Sequence, residues 1–368
     1  LINREAAMGF NCGIIGLPNV GKSTIFNALS GAGAQMANYP FCTIDPNKGI
    51  VPVPDSRLVK IAEILKKNGP IPTRIEFIDV AGLVKGASRG EGLGNKFLGH
   101  IRNVDAIVHI VRCFEDPDVV HVTGGIDPTG DIEIINTELI LADMDVLERA
   151  KEKIEKLSRS GDKDAARRVE IISKMLEHLN GGGLLKNLMG RDGYADIAGE
   201  FGLITTKPVL YLANIGEGAV PEALLKKISG YAAADGSEFM FIAGKLEEEI
   251  SELDHDEKKE YLDAMGLKES GLERLINSAY RLLDLVTYYT AATELQAWTV
   301  KSGTTAARAA GKIHTDFEKG FIRAEVFEYD VLVKCGSEHA VREKGFMKSE
   351  GRDYLIKDGD IVRYLFNV

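Results

Sequence analysis

The sequence predicts an α/β protein: a mostly parallel sheet wound by helices, interrupted by an inserted helical hairpin and followed by a small α+β domain. Three observations carry this reading. Short apolar runs alternate with amphipathic stretches, a charged block with helical periodicity separates two of those runs, and the composition changes near residue 283.

The strand-like runs are Gly13 to Ile15, Arg74 to Ile78, Ala106 to Arg112, Val209 to Ala213 and Phe239 to Ile242. They are short and apolar, as strands covered on both faces are, and such a sheet carries its functional loops at the strands' carboxyl ends. In the block between Arg112 and Val209, Leu147, Ala150, Ile154 and Leu157 share one stripe, and Val169, Ile172, Leu176 and Leu179 share another. Ser160-Gly161-Asp162 separates the stripes and Gly181-Gly182-Gly183 follows them. The spacing predicts two antiparallel helices, an insertion over about 133–205. Such a hairpin is either a solvated surface pair or an arm that grips a macromolecule. A helix over Leu272 to Leu285 then leads into strand and turn: Glu294 to Val300, a helical Thr305 to Ile313, Arg323 to Phe327, and a terminal Tyr354 to Val368. Leu1 to Ala7, ahead of Met8, read as an expression scar or N-terminal extension.

Composition narrows the function classes. The 368 residues are 45% hydrophobic, yet no apolar run is long enough to cross a bilayer, so no membrane partner is expected. A formal net charge of -10 argues against wholesale nonspecific nucleic-acid binding, while a local basic patch stays compatible with RNA; no sequence-specific DNA binding is expected. Cys12, Cys42, Cys113 and Cys335 are scattered without a C-x-x-C pair, which predicts neither a zinc site nor a disulfide framework and fits a reducing cytoplasm. Cys42 has no flanking group that would lower its thiol pKa.

The chemistry begins at Gly16-Leu17-Pro18-Asn19-Val20-Gly21-Lys22-Ser23-Thr24, a G-x-x-x-x-G-K-[ST] loop directly after an apolar run. A triphosphate has to be wrapped by backbone N–H groups, and glycine lets the main chain curl that closely. Lys22 is placed to meet the β- and γ-phosphates, Ser23 to ligate Mg²⁺, and a helix opening at Lys22 directs its positive end at the phosphates. Asp79-Val80-Ala81-Gly82 has the D-x-x-G form, with Asp79 reaching Mg²⁺ through its outer shell and the Gly82 N–H meeting the γ-phosphate. Thr43 lies where a switch threonine would complete the Mg²⁺ shell, and the glycine-dense Lys85 to Asn95 reads as a second switch.

Gly16 to Thr24, Asn38 to Ile44, Asp79 to Lys85 and Gly90 to Asn95 together resemble the YchF family, the Obg-like ATPases, and the resemblance runs from Met8 to Val368. It implies a P-loop NTPase of the Obg type over 8–282 with a coiled-coil insertion, and a C-terminal TGS domain of ubiquitin-like β-grasp fold over 283–368. It carries the family's Mg²⁺ ligands onto Ser23 and Thr43, its phosphate loop onto Asn19 through Thr24, and its base contacts onto Asn214 and Ile215. It also implies ribosome binding, toward which Lys312, His314, Lys319 and Arg323 are candidates; a merely solvated face explains them equally well.

Two departures from the common GTPase pattern shape the expected activity. A guanine reader uses N-K-x-D, whose aspartate accepts two hydrogen bonds from the base. Here Asn214-Ile215-Gly216-Glu217 replaces the stacking lysine by Ile215 and lengthens the carboxylate to Glu217, so ATP is expected in preference to GTP. The position after Gly82 often carries a water-orienting glutamine, and here it is Leu83. His121, in a loop beyond a strand end, is either the mobile group that replaces it or a plain loop residue, whereas His109 lies inside a strand and reads as core. Turnover is expected to be slow, and K⁺ is a further candidate cofactor.

Overall fold

A computed structural model describes residues 9–36, 47–80, 92–116, 125–158, 161–218 and 220–367. Thr43, Gly82, Leu83, His121 and Cys42 lie outside the described residues.

The first sheet contains β1 (Asn11–Ile15), β2 (Lys48–Pro52), β3 (Arg74–Asp79), β4 (Ala106–Cys113), β5 (Val209–Ile215) and β6 (Glu238–Ile242), in the order β2-β3-β1-β4-β5-β6. β1, β4, β5 and β6 are parallel. β4 and β5 are buried along their whole length, which is why they read as continuous apolar runs. The helices up to this sheet's end are α1 (Lys22–Met36), α2 (Ser56–Leu65), α3 (Gly92–Arg102), α4 (Pro128–Ser158), α5 (Lys163–Asn180), α6 (Tyr194–Phe201), α7 (Glu222–Asp235), α8 (Gly244–Glu252), α9 (His255–Ala264) and α10 (Gly271–Leu282).

Packing divides the chain into two units, one holding Asn11–Gly49 and Phe77–Leu275, the other Ile50–Glu76 and Ile276–Val368. In the first unit, α4 and α5 form the helical pair, joined through Asp162, whose carboxylate caps α5 by accepting from the Asp164 and Ala165 N–H groups. Leu147, Ala150, Ile172 and Leu179 are buried in the core between them. Leu157 departs from its expected stripe and is 60% exposed. It lies in the last turn of α4.

The second unit contains β7 (Leu285–Thr290), β8 (Gln296–Lys301), α11 (Ala306–Ile313), α12 (Thr315–Lys319), β9 (Phe321–Glu328), α13 (Tyr329–Cys335), α14 (Glu338–Glu343), β10 (Lys348–Glu350) and β11 (Asp360–Phe366). Its sheet runs β10-β9-β11-β7-β8, with β7 and β11 parallel at the centre and the other pairs antiparallel, the β-grasp arrangement. The helix expected to reach Leu285 stops at Leu282, because Asp284 adopts a left-handed φ of 52° that ends it, and Leu285 opens β7.

The alanine face of α11 covers one side of this sheet, against Trp298, Val300 and Val326. The other side is covered from far away in sequence: Leu58, Ile61 and Ala62 of α2 pack with Tyr289, Leu295, Phe327 and Leu332. Polar ties fix the same helix. Asp55 caps α2 and accepts from the Tyr289 hydroxyl, while the Arg57 guanidinium donates to Asp358 Oδ2 at 2.6 Å. α2 thus packs with the C-terminal sheet, while β2 and β3 on either side of it are strands of the first sheet, although the sequence reading placed this whole stretch in the nucleotide-binding span 8–282. An amphipathic stripe on α2 shows that the helix is half-buried but does not show against what.

His109, inside β4, is a core residue as expected. It is 1% exposed, its ring packs on Tyr211, and its Nδ1 meets no hydrogen-bond partner among the described residues. Burial lowers its pKa from 6.5 to about 3, so the folded protein holds it neutral. A depressed folded pKa gives stability that is present above the unfolded value and is lost as pH falls through the window from 6.5 towards 3. Urea titrations across this window are expected to show the His109→Phe variant losing less stability per pH unit than the parent, by up to about 1.4 kcal/mol per unit.

Candidate functional site

The carboxyl ends of β1, β3, β4 and β5 converge on the turn between β1 and α1. The turn is crowded and strained in ways that explain its composition. A Cβ on Gly16 would lie 2.8 Å from the Ile110 carbonyl oxygen of β4. Asn19 and Gly21 take left-handed φ values of 64° and 87°, and a Cβ on Gly21 would run into the Asn214 amide. Val20 between them is buried. α1 then opens at Lys22, with Ser23 exposed and Thr24 half-buried on its first turn.

Lys22 Nζ donates to Asp79 Oδ1 at 3.0 Å, and both side chains are largely shielded from water. The pairing places an ammonium at the mouth of the loop beside the carboxylate at the end of β3, and the next residue, Val80, donates its N–H to Ile14 to hold that strand end against β1. Among the described residues no cluster of three or more His, Cys, Asp or Glu side chains forms a metal cage. The Ser23 hydroxyl and Asp79 carboxylate are hard oxygen donors of the kind that bind Mg²⁺ when phosphates and water supply the remaining positions.

Asn214 lies at the end of β5, next to the turn, as its motif places it. It is 4% exposed; its Nδ2 donates to the Val20 carbonyl at 3.0 Å and its Oδ1 accepts from the Gly244 N–H at 2.9 Å. The side chain therefore ties the phosphate-type turn to the start of α8, while still lying at the end of β5 beside the pocket. Ile215 is buried as the last residue of β5. Glu217, beyond it, is exposed and forms an ion pair with Lys245 Nζ at 3.5 Å. α8 is itself anchored by buried Glu247, which accepts from the Gly271 and Leu272 N–H groups at the start of α10; burial pushes its carboxyl above the usual carboxylate range despite those bonds.

Two residues escaped the sequence reading. Arg112, 3% exposed at the end of β4 and in register with Asn214, donates from Nη1 to the Asn19 carbonyl at 3.3 Å and from Nε to the Phe114 carbonyl at 3.1 Å. Its guanidinium lies over the Phe114 ring, 4.5 Å from the centroid. Phe114 stands 3.5 Å from the Cβ position of Gly216 and 4.0 Å from that of Gly21, so it walls the space between the turn and the end of β5. The only sequence signal for either was position at a strand's carboxyl end.

A glycine-hinged turn between a parallel strand and a helix, with its lysine paired to an aspartate on the neighbouring strand, defines a P-loop nucleotide-binding protein. Residues 11–171 match the family described as "50S ribosome-binding GTPase", and residues 285–367 match YchF-GTPase_C, described as "Protein of unknown function (DUF933)". The proteins named "Ribosome-binding ATPase YchF" from Escherichia coli O157:H7 and Bacillus subtilis are 49% and 48% identical, each over 98% of this chain and 100% of its own length. A solved structure described as "Structure of the Schizosaccharomyces pombe YchF GTPase" is similar with a TM-score of 0.86 at 34% identity, covering 97% of both chains. The chain belongs to the YchF family.

Because Asn214 satisfies a buried carbonyl and a buried N–H at once, Asn214→Ala is expected to lower stability in urea unfolding by about 2–4 kcal/mol. Glu217→Ala, at an exposed ion pair, is expected to leave the unfolding midpoint nearly unchanged.

Proposed function

We propose that the protein is a Mg²⁺-dependent ATPase that acts as a nucleotide-controlled switch on the ribosome. The observation that carries the base preference is the fate of the carboxylate at the end of β5. In a guanine reader that carboxylate is an aspartate free to take the base edge. Here it is the longer Glu217, drawn to Lys245 and exposed to water. Adenine presents an acceptor where guanine presents a donor, so withdrawing the carboxylate costs GTP an interaction and removes a repulsion from ATP. Phe114 and Ile215 supply the apolar wall a purine needs.

In this reading the N–H groups of the loop and the Lys22 ammonium hold the phosphates; Ser23 and Thr43 would ligate Mg²⁺, with Asp79 reaching it through the outer shell, and the ion would supply charge neutralisation on the transferred phosphoryl group. Lys22 is the group whose charge follows the γ-phosphate into the transition state. Gly82 offers its N–H to the same phosphate, and His121 orients the attacking water in place of the missing glutamine. K⁺ beside the phosphates would supply the positive charge that an arginine finger gives other members of the class. The ribosome is the proposed partner because the relatives of E. coli and B. subtilis carry it in their names, and a cytoplasmic location follows from that partner. GTP hydrolysis is the second reading, favoured by the description of the S. pombe relative as a GTPase.

Calorimetry with MgATP and MgGTP is expected to show tighter binding of ATP, and Glu217→Asp to narrow the gap; equal affinities or tighter GTP would reverse the assignment. Lys22→Ala should abolish turnover. A His121→Ala variant that turns over at the parent rate removes that residue from the mechanism. Pelleting with ribosomes should differ between ATP and ADP if the switch reading holds.

A further inference from the structure

A phosphate loop works only if consecutive peptide planes turn their N–H groups towards the ligand. A trans peptide is planar, so the C=O of one residue and the N–H of the next point in opposite directions. Fixing a carbonyl on one side of the loop therefore aims the following N–H to the other side. In this chain the Val20 carbonyl is fixed by Asn214, which directs the Gly21 N–H away from the end of β5. The preceding plane has its own brace: the Asn19 carbonyl accepts from Arg112 Nη1, which directs the Val20 N–H away from the end of β4.

That plane is the one most in need of support. Asn19 is a non-glycine residue at φ 64°, in the left-handed region that asparagine tolerates better than most L residues but not without cost. We propose that Arg112 is a positioning residue for nucleotide binding: it holds the Asn19–Val20 peptide in the phosphate-facing orientation and, with its second bond, sets Phe114 as the wall of the same pocket. Three features make the guanidinium suited to this. It is buried at the end of β4, a central strand paired on both sides. Its rigid fork reaches two carbonyls in different directions at once. Its planar face packs on the Phe114 ring it positions. Lysine carries its three donors on one nitrogen, so it lacks the separated Nε and Nη1 donors that reach carbonyls lying in different directions.

The role concerns phosphates common to every nucleotide the loop can hold, so it is independent of the base preference proposed above. Calorimetric titration of the full chain with MgADP and MgGDP, on the parent, Arg112→Met and Arg112→Lys, tests it. The Met variant is expected to bind both diphosphates about tenfold or more weakly, by a similar factor for each base, with the Lys variant in between. In steady-state turnover the loss should appear mainly in KM for the triphosphate rather than in kcat, because the loop grips ground and transition states alike. Parent-like diphosphate affinity in a folded Met variant, even with a lower melting temperature, would assign Arg112 to core stability alone and overturn the proposal. Should the Met variant not fold, the Lys variant decides: unchanged affinity overturns the proposal, and a severalfold loss with a parent-like melting temperature supports it. A loss confined to one of the two bases would also count against it.

Discussion

A loop that must present its backbone to a ligand has no side chains left to hold itself up. The turn from Gly16 to Gly21 includes two left-handed residues and a buried valine. Its shape comes from the ends of two buried strands. β4 supplies Arg112 to the carbonyl of residue 19, and β5 supplies Asn214 to the carbonyl of residue 20; the two side chains are neighbours across the ladder. Rigidity of the central sheet is thereby converted into orientation of two peptide planes. The glycine at position 21 belongs to the same arrangement, since a Cβ there would displace the Asn214 amide.

The brace extends beyond the loop. Asn214 also accepts from the N–H of Gly244 at the start of α8, and α8 is anchored through Glu247 to the start of α10. The strand end, the turn and two helix N-termini are therefore linked by side chains that each satisfy two backbone groups. Buried polar links of this kind are costly when half-made, which makes the arrangement behave as one piece rather than as separate contacts. It also explains why Lys245, one residue past Gly244, comes within 3.5 Å of Glu217: both lie on segments that Asn214 holds together.

What could be read in the chain was what is contiguous. The phosphate loop, the strand runs and the two helical stripes are local patterns, and the structure places strands and helices on them within a few residues. What could not be read depends on partners distant in sequence. Arg112 reaches a carbonyl 93 positions away, and Asp55 meets Tyr289 across 234. An arginine closing an apolar strand resembles any strand-terminal charge, and an amphipathic α2 gives no hint that its apolar stripe belongs to the C-terminal sheet. Asn214 was located by its motif, but the motif does not say that both ends of its amide are taken up by backbone. Leu157 shows the opposite error, a periodic stripe extended into the last turn of α4, where the side chain is exposed.

The helical pair bears on the same strand from its other end. Tyr211, three residues before Asn214 on β5, donates to Asp235 Oδ2 at 3.1 Å and accepts from Asn136 Nδ2 of α4 at 3.2 Å. Lys186, in the turn after α5, donates to the same Asp235 at 2.8 Å, and Asn136 also reaches the Tyr231 hydroxyl. Burial raises the Tyr211 hydroxyl far above its ordinary range and lowers the Lys186 ammonium, so these groups are held by their partners rather than by water. β5 is paired with β4 on one side and β6 on the other, so the residue that meets α4, Tyr211, and the residue that meets the phosphate loop, Asn214, belong to one strand fixed by neighbours on both sides.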